Sequence, residues 1–364
     1  MLFPYTYVPH KMERMLDFID FIFNDVWCKA PIGQVFHPEL FEGYPDLKDV
    51  MSEFGFSSQA AERGKVFYKD VKAIYELFEP LSPQEIHQLT LWYQGNNDLE
   101  KLCANDPTVP FARYTDIAVT HTALGEQLAA FFKGLYSQSL LDLAALRAKI
   151  GAIDDHYRDF VATNKAGKCP FCGINDLLGE YHTKREAYDH YLPKSLYPFN
   201  SINFKNLVPA CHHCNSSYKT SKDPVYTPKD PIGKARRRAV FYPYTATPYA
   251  IELKVTLKHS DIANLTPADV NLQFGPTALD EKIDTWKDVY GIEERYKAKF
   301  CAENDGKYWL TQVLDEWQYD DKSVADFMIT LARQSASNPY AECNFLKKAF
   351  LEGCDSAGLF DKQT

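Results

Sequence analysis

Hydrophobic periodicity from Lys11 to about Asn164 predicts a mostly helical N-terminal region. Helical patterns alternate there with breaks rich in Pro, Gly and Asn, as at Pro80 to Pro83. The clearest pattern runs from about Ser137 to Asn164, where apolar residues recur three or four positions apart. These residues are Leu143, Leu146, Ile150, Ile153, Tyr157 and Phe160. We expect one helical stripe that faces a core, since a dimer interface of the coiled-coil type needs a longer heptad run.

The C-terminal region shows a different pattern. Residues 251 to 258 alternate between apolar and polar side chains, which predicts a half-buried strand. Helical patterns follow from about Asp280 to Phe300, from Tyr308 to Trp317 and from Ser323 to Gly353. The sequence therefore predicts a smaller C-terminal region, residues 231–364, that is α+β or mainly helical.

Composition narrows the class of protein. A chain of 364 residues with 45% apolar content can bury a sizeable core, and its length suggests two or three structural units. The formal charge of −9 argues against a protein that coats nucleic acid or membrane with its whole surface. No apolar stretch resembles a membrane span or a signal peptide, and no glycine-rich phosphate loop occurs. Nine cysteines do not suit a secreted disulfide framework. We expect a cytoplasmic protein without membrane contact.

Charge is unevenly distributed along the chain. Residues 161–238 carry 13 Lys and Arg against 6 Asp and Glu, a net charge of +7, whereas the rest of the chain carries −16. The middle of the chain is therefore the part expected to meet a polyanion such as nucleic acid. Together with the hydrophobic patterns, this asymmetry predicts three regions: 1–164, 165–230 and 231–364.

Two cysteine pairs bracket the middle region, Cys169-Pro-Phe-Cys172 and Cys211-His-His-Cys214. Two C-x-x-C pairs supply the four thiolates of a tetrahedral structural Zn²⁺ site. A redox role would require a βαβ context that the sequence does not show. His212 or His213 could replace one cysteine as a ligand, although four cysteines already satisfy the ion.

Further polar residues follow a recognisable order between and after these pairs. Asp189-His190 comes first, Asn206-Leu207 precedes the second pair, and Asn215 follows it directly. At these residues the sequence resembles the zinc-containing HNH endonucleases, also called ββα-metal or His-Me finger nucleases. The resemblance covers about residues 165 to 225. It implies a central ββα-metal HNH module around the four-cysteine zinc site. With the helical patterns on either side, we expect a mostly helical α+β protein.

The chemistry of these residues agrees with the resemblance. Phosphodiester hydrolysis needs an activated water and a cation that neutralises phosphoryl charge. A neutral His beside a carboxylate suits these two needs, and oxygen ligands suit Mg²⁺ or Mn²⁺. The resemblance implies that His190 is the general base and that Asp189 and Asn215 hold the catalytic Mg²⁺ or Mn²⁺. It also implies that Asn206 fixes the loop that orients the base.

Basic residues near the motif are candidates for nucleic-acid binding. We expect Lys194 and Lys219 to hold flanking phosphates, because such contacts position the backbone. Which group assists the departing oxygen is left open between His212, His213 and Lys219. The run Arg236 to Arg238 is interpreted as solvated, and His156 as a polar side chain exposed on the helix surface rather than part of a second metal site.

These features predict a metal-dependent endonuclease, with DNA favoured over RNA by analogy with the family. HNH modules with large flanking regions occur in bacterial anti-phage and restriction systems, often beside an ATPase. A nuclease effector controlled by a regulatory protein subunit is therefore expected. The alternatives are a non-catalytic zinc module that binds nucleic acid or a protein partner, and an RNA-cleaving HNH effector.

Overall fold

The computed structural model describes residues 1–319 and 323–361. Across these residues the chain is mostly helical and carries two small antiparallel sheets of two strands each. The α+β class expected from the sequence is confirmed. No helix in these two ranges is long and apolar enough to cross a membrane.

Ten α-helices occupy the N-terminal half. They are α1 (Arg14–Phe21), α2 (Pro45–Phe56), α3 (Glu62–Phe78), α4 (Pro83–Asn97), α5 (Leu99–Cys103), α6 (Tyr114–Thr120), α7 (Thr122–Leu135), α8 (Gln138–Leu141), α9 (Ala144–Ile150) and α10 (Ile153–Thr163). Helix α4 begins at a capping box, because Ser82 and Glu85 satisfy each other's backbone N–H groups and Pro83 fills the first position. This start fixes the register that later places Asn96 at the helix end.

The expectation of one helical element from Ser137 to Asn164 is wrong. Helices α8, α9 and α10 share this stretch, because Leu143 is extended and Gly151 adopts a left-handed φ of 80°. The apolar stripe is nevertheless buried across the breaks, with Ile150 and Phe160 among its inaccessible members. The prediction that the apolar stripe is buried is therefore correct, whereas the prediction that it lies on one continuous helix is not.

The middle region forms a short hairpin. Strand β1 (Tyr188–His190) pairs antiparallel with β2 (Leu207–Pro209), so that Asp189 lies opposite Val208. A π-helical segment, His213–Lys219, begins within the second cysteine pair and includes Cys214. Asn215 lies within this segment.

The C-terminal region combines a second hairpin with five helices within the described ranges. Strand β3 (Glu252–Leu257) confirms the predicted strand, and its partner β4 (Val270–Gly275) was not predicted. The helices are α11 (Asp280–Tyr290), α12 (Ile292–Cys301), α13 (Gly306–Tyr319), α14 (Val324–Ser337) and α15 (Asn344–Ser356). Two predicted helices are each divided, one at Gly291 with a φ of 60° and one between Asn338 and Cys343.

Buried apolar side chains form two clusters, and the middle region contributes to both. Tyr188, Phe199 and Phe204 join the aromatic core of the N-terminal helices. The four paired cysteines, Phe171 and Tyr191 join the core of the C-terminal region. The short hairpin β1–β2 therefore lies between two cores and has none of its own. The boundaries at residues 164 and 230 stay predictions.

Candidate functional site

The four paired cysteines converge on one point. The sulfur atoms of Cys169, Cys172, Cys211 and Cys214 all lie within 4.8 Å of one another and are buried. A tetrahedral Zn²⁺ with bonds of about 2.3 Å places its sulfur ligands about 3.8 Å apart. The Cys172 and Cys211 sulfurs are 4.0 Å apart. Because the cluster offers four soft donors at this spacing, it can hold a metal such as zinc.

Side chains of α11 and α12 hold the first cysteine pair from outside. Trp286 Nε1 donates to the Phe171 carbonyl at 2.6 Å, and Tyr296 Oη donates to the Cys172 carbonyl at 2.9 Å. The Arg295 guanidinium donates to Cys214 Sγ at 3.2 Å, which places a positive charge beside the sulfur cluster. Such contacts orient ligands and favour the thiolate form. The C-terminal helices therefore complete the cluster.

Asp189 lies on β1 and is only 3% exposed. Its Oδ1 accepts a hydrogen bond of 2.9 Å from Lys219 Nζ, whereas its Oδ2 is buried without a hydrogen-bond partner. Burial raises the pKa of this carboxyl group, and the adjacent Lys219 ammonium opposes that shift. An unpartnered buried carboxylate oxygen is costly unless a ligand satisfies it. Asp189 Oδ2 is thus a buried carboxylate oxygen that could accept a bond from a ligand.

The structure places Lys219 differently from a phosphate-binding side chain. Its side chain is fully buried, and Nζ donates to Asp189 Oδ1 and, at 2.8 Å, to the His190 carbonyl. A buried ammonium with two acceptors is not available to a phosphate at the surface. The expected phosphate contact is therefore replaced by an internal ion pair.

His190 ends β1 and is partly exposed. Its Nε2 lies 3.0 Å from the Ser201 carbonyl, so Nε2 carries the proton and Nδ1 keeps its lone pair. Nδ1 has no hydrogen-bond partner among the described residues. Burial, aided by the Lys194 charge, lowers the pKa of His190 to about 3. The imidazole is therefore neutral at physiological pH, and its free nitrogen is a proton acceptor. The Tyr136 ring packs edge-on against it, with centroids 4.9 Å apart.

The loop between β1 and β2 carries Ser201 and is closed by Asn206. The fully buried Asn206 amide accepts from Leu192 N at 2.7 Å and donates to the carbonyls of Leu192 and Asn200. These bonds join both ends of the loop. The position of the Ser201 carbonyl, and with it the direction of the His190 ring, depends on this loop.

Helix α4 supports the same loop from the N-terminal region. Asn96 Nδ2 donates to the Pro198 carbonyl at 2.8 Å, and Asn200 Nδ2 donates to the Asn96 carbonyl at 3.1 Å. Asn97 Oδ1 accepts from Asn203 at 2.9 Å. The sequence did not indicate that these asparagines support the loop, because an Asn at a helix end is also a common signal for the end of a helix.

Asn215 and Lys194 lie near the loop without showing the roles expected of them. The i→i+5 bond from Thr220 N to the Asn215 carbonyl closes a π turn, which brings Asn215 and Lys219 onto one face. The Asn215 side chain is partly exposed and makes no hydrogen bond within the described ranges. Lys194 Nζ donates to the Lys133 and Tyr136 carbonyls near the end of α7. Ligation by Asn215 and phosphate binding by Lys194 stay predictions.

Two further interpretations are corrected. His156 is not a surface residue: it is 3% exposed, and Nδ1 lies 2.5 Å from the Tyr188 hydroxyl. Of the run Arg236 to Arg238, only Arg236 is fully solvated, because Arg238 is buried in an ion pair with Asp288. His212 and His213 are exposed beside the cluster.

Comparisons with known proteins give short matches. A segment of 64 residues is 31% identical to the Septu protein PtuB of Bacillus thuringiensis, covering 17% of this chain and 24% of that protein. A segment of 63 residues is 41% identical to the protein ea31 of Escherichia phage lambda, covering 17% of this chain and 19% of that protein. The chain thus spans less than a quarter of each relative. No protein-family model and no solved structure matches the chain.

Proposed function

We propose that this protein is a divalent-cation-dependent endonuclease of the HNH type that hydrolyses phosphodiester bonds in DNA. One observation carries the proposal. Consecutive residues of β1 leave two reactive atoms unused by the fold, the lone pair of His190 Nδ1 and the buried Oδ2 of Asp189. A fold that merely buried Asp189 would pair its Oδ2.

The residues divide the chemistry between them. His190 Nδ1 accepts a proton from the attacking water, and the Ser201 carbonyl holds the ring in the required tautomer. Asp189 and Asn215 would hold Mg²⁺ or Mn²⁺, which, when bound, neutralises charge on the phosphoryl and departing oxygens. Water adds to phosphorus as the bond to the 3′ oxygen breaks, and the departing oxygen takes a proton from solvent water, which leaves a 5′-phosphate and a 3′-hydroxyl. An anionic phosphate beside His190 would raise its low pKa towards neutrality and strengthen the base.

We further propose that the nuclease acts in an anti-phage or restriction system under the control of a protein partner such as an ATPase. The relatives support a link of this kind, since one is a bacterial Septu protein and the other a phage protein. HNH modules with large flanking regions are known in such systems. The large helical N-terminal region and the C-terminal region both offer surface for a partner.

A cleavage assay tests the proposal. Purified protein is incubated with labelled DNA and RNA in the presence of Mg²⁺, Mn²⁺ or EDTA, and metal-dependent cleavage of DNA is expected. The change His190→Ala should lower the rate by about 10²-fold or more, because a positioned general base contributes that much. The matched control is His182→Ala, which alters an exposed histidine of the same region.

Each alternative has its own outcome. Full activity in the His190→Ala protein would contradict the mechanism. Binding without cleavage under every metal condition would favour a non-catalytic module. Preferential cleavage of RNA would favour the RNA-cleaving effector.

A further inference from the structure

Lys219 is a fully buried ammonium group at the end of the π-helical segment. It contacts both residues of the proposed catalytic pair, Asp189 through its carboxylate and His190 through its backbone carbonyl. A charged group in such a place requires a partner, because removing an ion from water costs several kcal/mol. Lys219 pairs with one of the two carboxylate oxygens of Asp189, Oδ1. The other oxygen, Oδ2, has no hydrogen-bond partner.

The arrangement divides the two carboxylate oxygens between two positive charges. Oδ1 belongs to Lys219, and Oδ2 is left for a cation. A free carboxylate can bind a metal through one or both oxygens. Because Lys219 holds Oδ1, Asp189 offers only Oδ2 to a metal. The same hydrogen bond prevents the carboxylate group from rotating.

We propose that Lys219 is a positioning residue of this site, which restricts Asp189 to a single ligand oxygen and fixes the backbone from which the His190 ring projects. The inference rests on the proposed nuclease function. Lys219 stays on Oδ1 when the catalytic cation is bound. Its side chain is fully buried, so it acts through Asp189 and His190.

Removing the ammonium group should lower the rate of DNA cleavage without weakening the binding of the cation. In a Lys219→Met protein, Asp189 is free to turn and to offer both oxygens, and the repulsion between the ammonium and the cation is gone. Mn²⁺ should therefore bind as tightly as before or more tightly. The kcat for DNA should fall by about 10-fold to 100-fold, since a misplacement of about 1 Å has that effect. The KM for DNA should change by less than about threefold.

The test compares Lys219→Met with the unaltered full chain. Zinc content and unfolding temperature are measured first, then Mn²⁺ binding by calorimetry, and then kcat and KM. Lys222→Met is the matched control, because Lys222 is exposed three residues further on and its Nζ donates to carbonyls at the end of α11. A general loss of structure would weaken Mn²⁺ binding and activity together.

Labelling of the unaltered protein with an amine-reactive acylating reagent covers the case in which Lys219→Met does not fold. Mass spectrometry should find Lys222 modified and Lys219 unmodified, with and without Mn²⁺. Modification of Lys219 induced by Mn²⁺ would show that the cation displaces it, and would overturn the inference.

The outcomes distinguish this inference from the proposed function. If the unaltered protein neither cuts DNA nor binds Mn²⁺, the proposed function fails. If the unaltered protein is active and Lys219→Met has the same kcat, the role of Lys219 alone is overturned. Loss of Mn²⁺ binding in a folded, zinc-loaded Lys219→Met protein would also overturn it.

Discussion

The hairpin β1–β2 is held differently on its two sides. On the cysteine side, four thiols can share one metal ion, and α11 and α12 donate to the backbone around them. On the His190 side, the loop is held by neutral amide bonds through Asn96, Asn200 and Asn206. Strands of three residues cannot stabilise themselves, so both sides depend on distant elements. A metal cross-link is lost as a unit, whereas an amide network weakens one bond at a time.

The largest expected effect is on the cysteine side. Cys169→Ser should abolish zinc binding and lower the free energy of unfolding by more than about 5 kcal/mol, since structural zinc contributes about 10–16 kcal/mol in small zinc peptides. Elemental analysis should find about one zinc per unaltered chain. Cys301→Ser, outside the cluster, is the control and should change neither quantity. Absence of zinc from freshly purified, unchelated protein would contradict the assignment.

The second effect is on the His190 side. Asn96→Ala removes the buried amide that bonds to Pro198 and to both polar groups of Ala112. The expected loss is about 3 kcal/mol, because each orphaned buried group costs about 1–3 kcal/mol. Chemical denaturation should show this loss while zinc content is unchanged, and cleavage should slow. Gln94→Ala, an exposed change on the same helix, serves as the control. Simultaneous loss of zinc would mean that the two sides are not independent.

The third effect concerns acid. Burial lowers the pKa of His156, which bonds to Tyr188 of β1, to about 4, and the nearby His10 charge adds to the shift. The unfolded chain takes up a proton near pH 6.5 and the folded chain only near pH 4. Stability from neutral His156 is therefore complete above pH 6.5 and is lost as the pH falls towards 4, by at most about 3 kcal/mol. Unfolding free energies measured between pH 8 and pH 4 should be less pH-dependent in His156→Gln. An identical pH dependence would refute this cause.

The smallest effect tests how α11 and α12 meet the π-helical segment. Gly291 has a left-handed φ of 60°, and an added Cβ would lie 2.5 Å from the Tyr218 ring. Gly291→Ala should lower the free energy of unfolding by about 1–2 kcal/mol, the usual cost of that backbone region for Ala, with some addition from the displaced ring. Thermal unfolding measures the change, and Gly167→Ala, at a glycine with a φ of 65° whose added Cβ would meet nothing within 4 Å, is the comparison for the backbone cost alone. Unchanged stability would show that the Tyr218 contact is readily rearranged.

Local patterns predicted the parts of this protein that depend on local chemistry. The alternation in β3 and the spacing of the cysteines were sufficient, since each reflects the geometry of a few neighbouring residues. The breaks near Leu143 and Gly151 were missed because an apolar stripe continues across them. Nuclease activity itself stays a proposal that rests on a resemblance and on two unused atoms.

The residues that position the candidate site were harder to predict, because they lie far apart in the sequence. Asn96 and Pro198 are separated by 102 positions, and Arg295 and Cys214 by 81. Lysines are rarely buried, so the sequence predicted an exposed Lys219. The structure instead pairs its ammonium group with Asp189 inside the protein. Tertiary context decided both cases.

The separation between Cys214 and Arg295 has a consequence during synthesis. Ribosomes add about 5–20 residues per second, so the 81 residues between them take about 4–16 s to appear. During that interval the four thiols are present on the nascent chain, whereas Arg295 and Tyr296 are not. The cysteines therefore meet the metal ions of the cell before their protein shield exists. The thiols are therefore open to a metal ion, and to oxidation, while the chain is still growing.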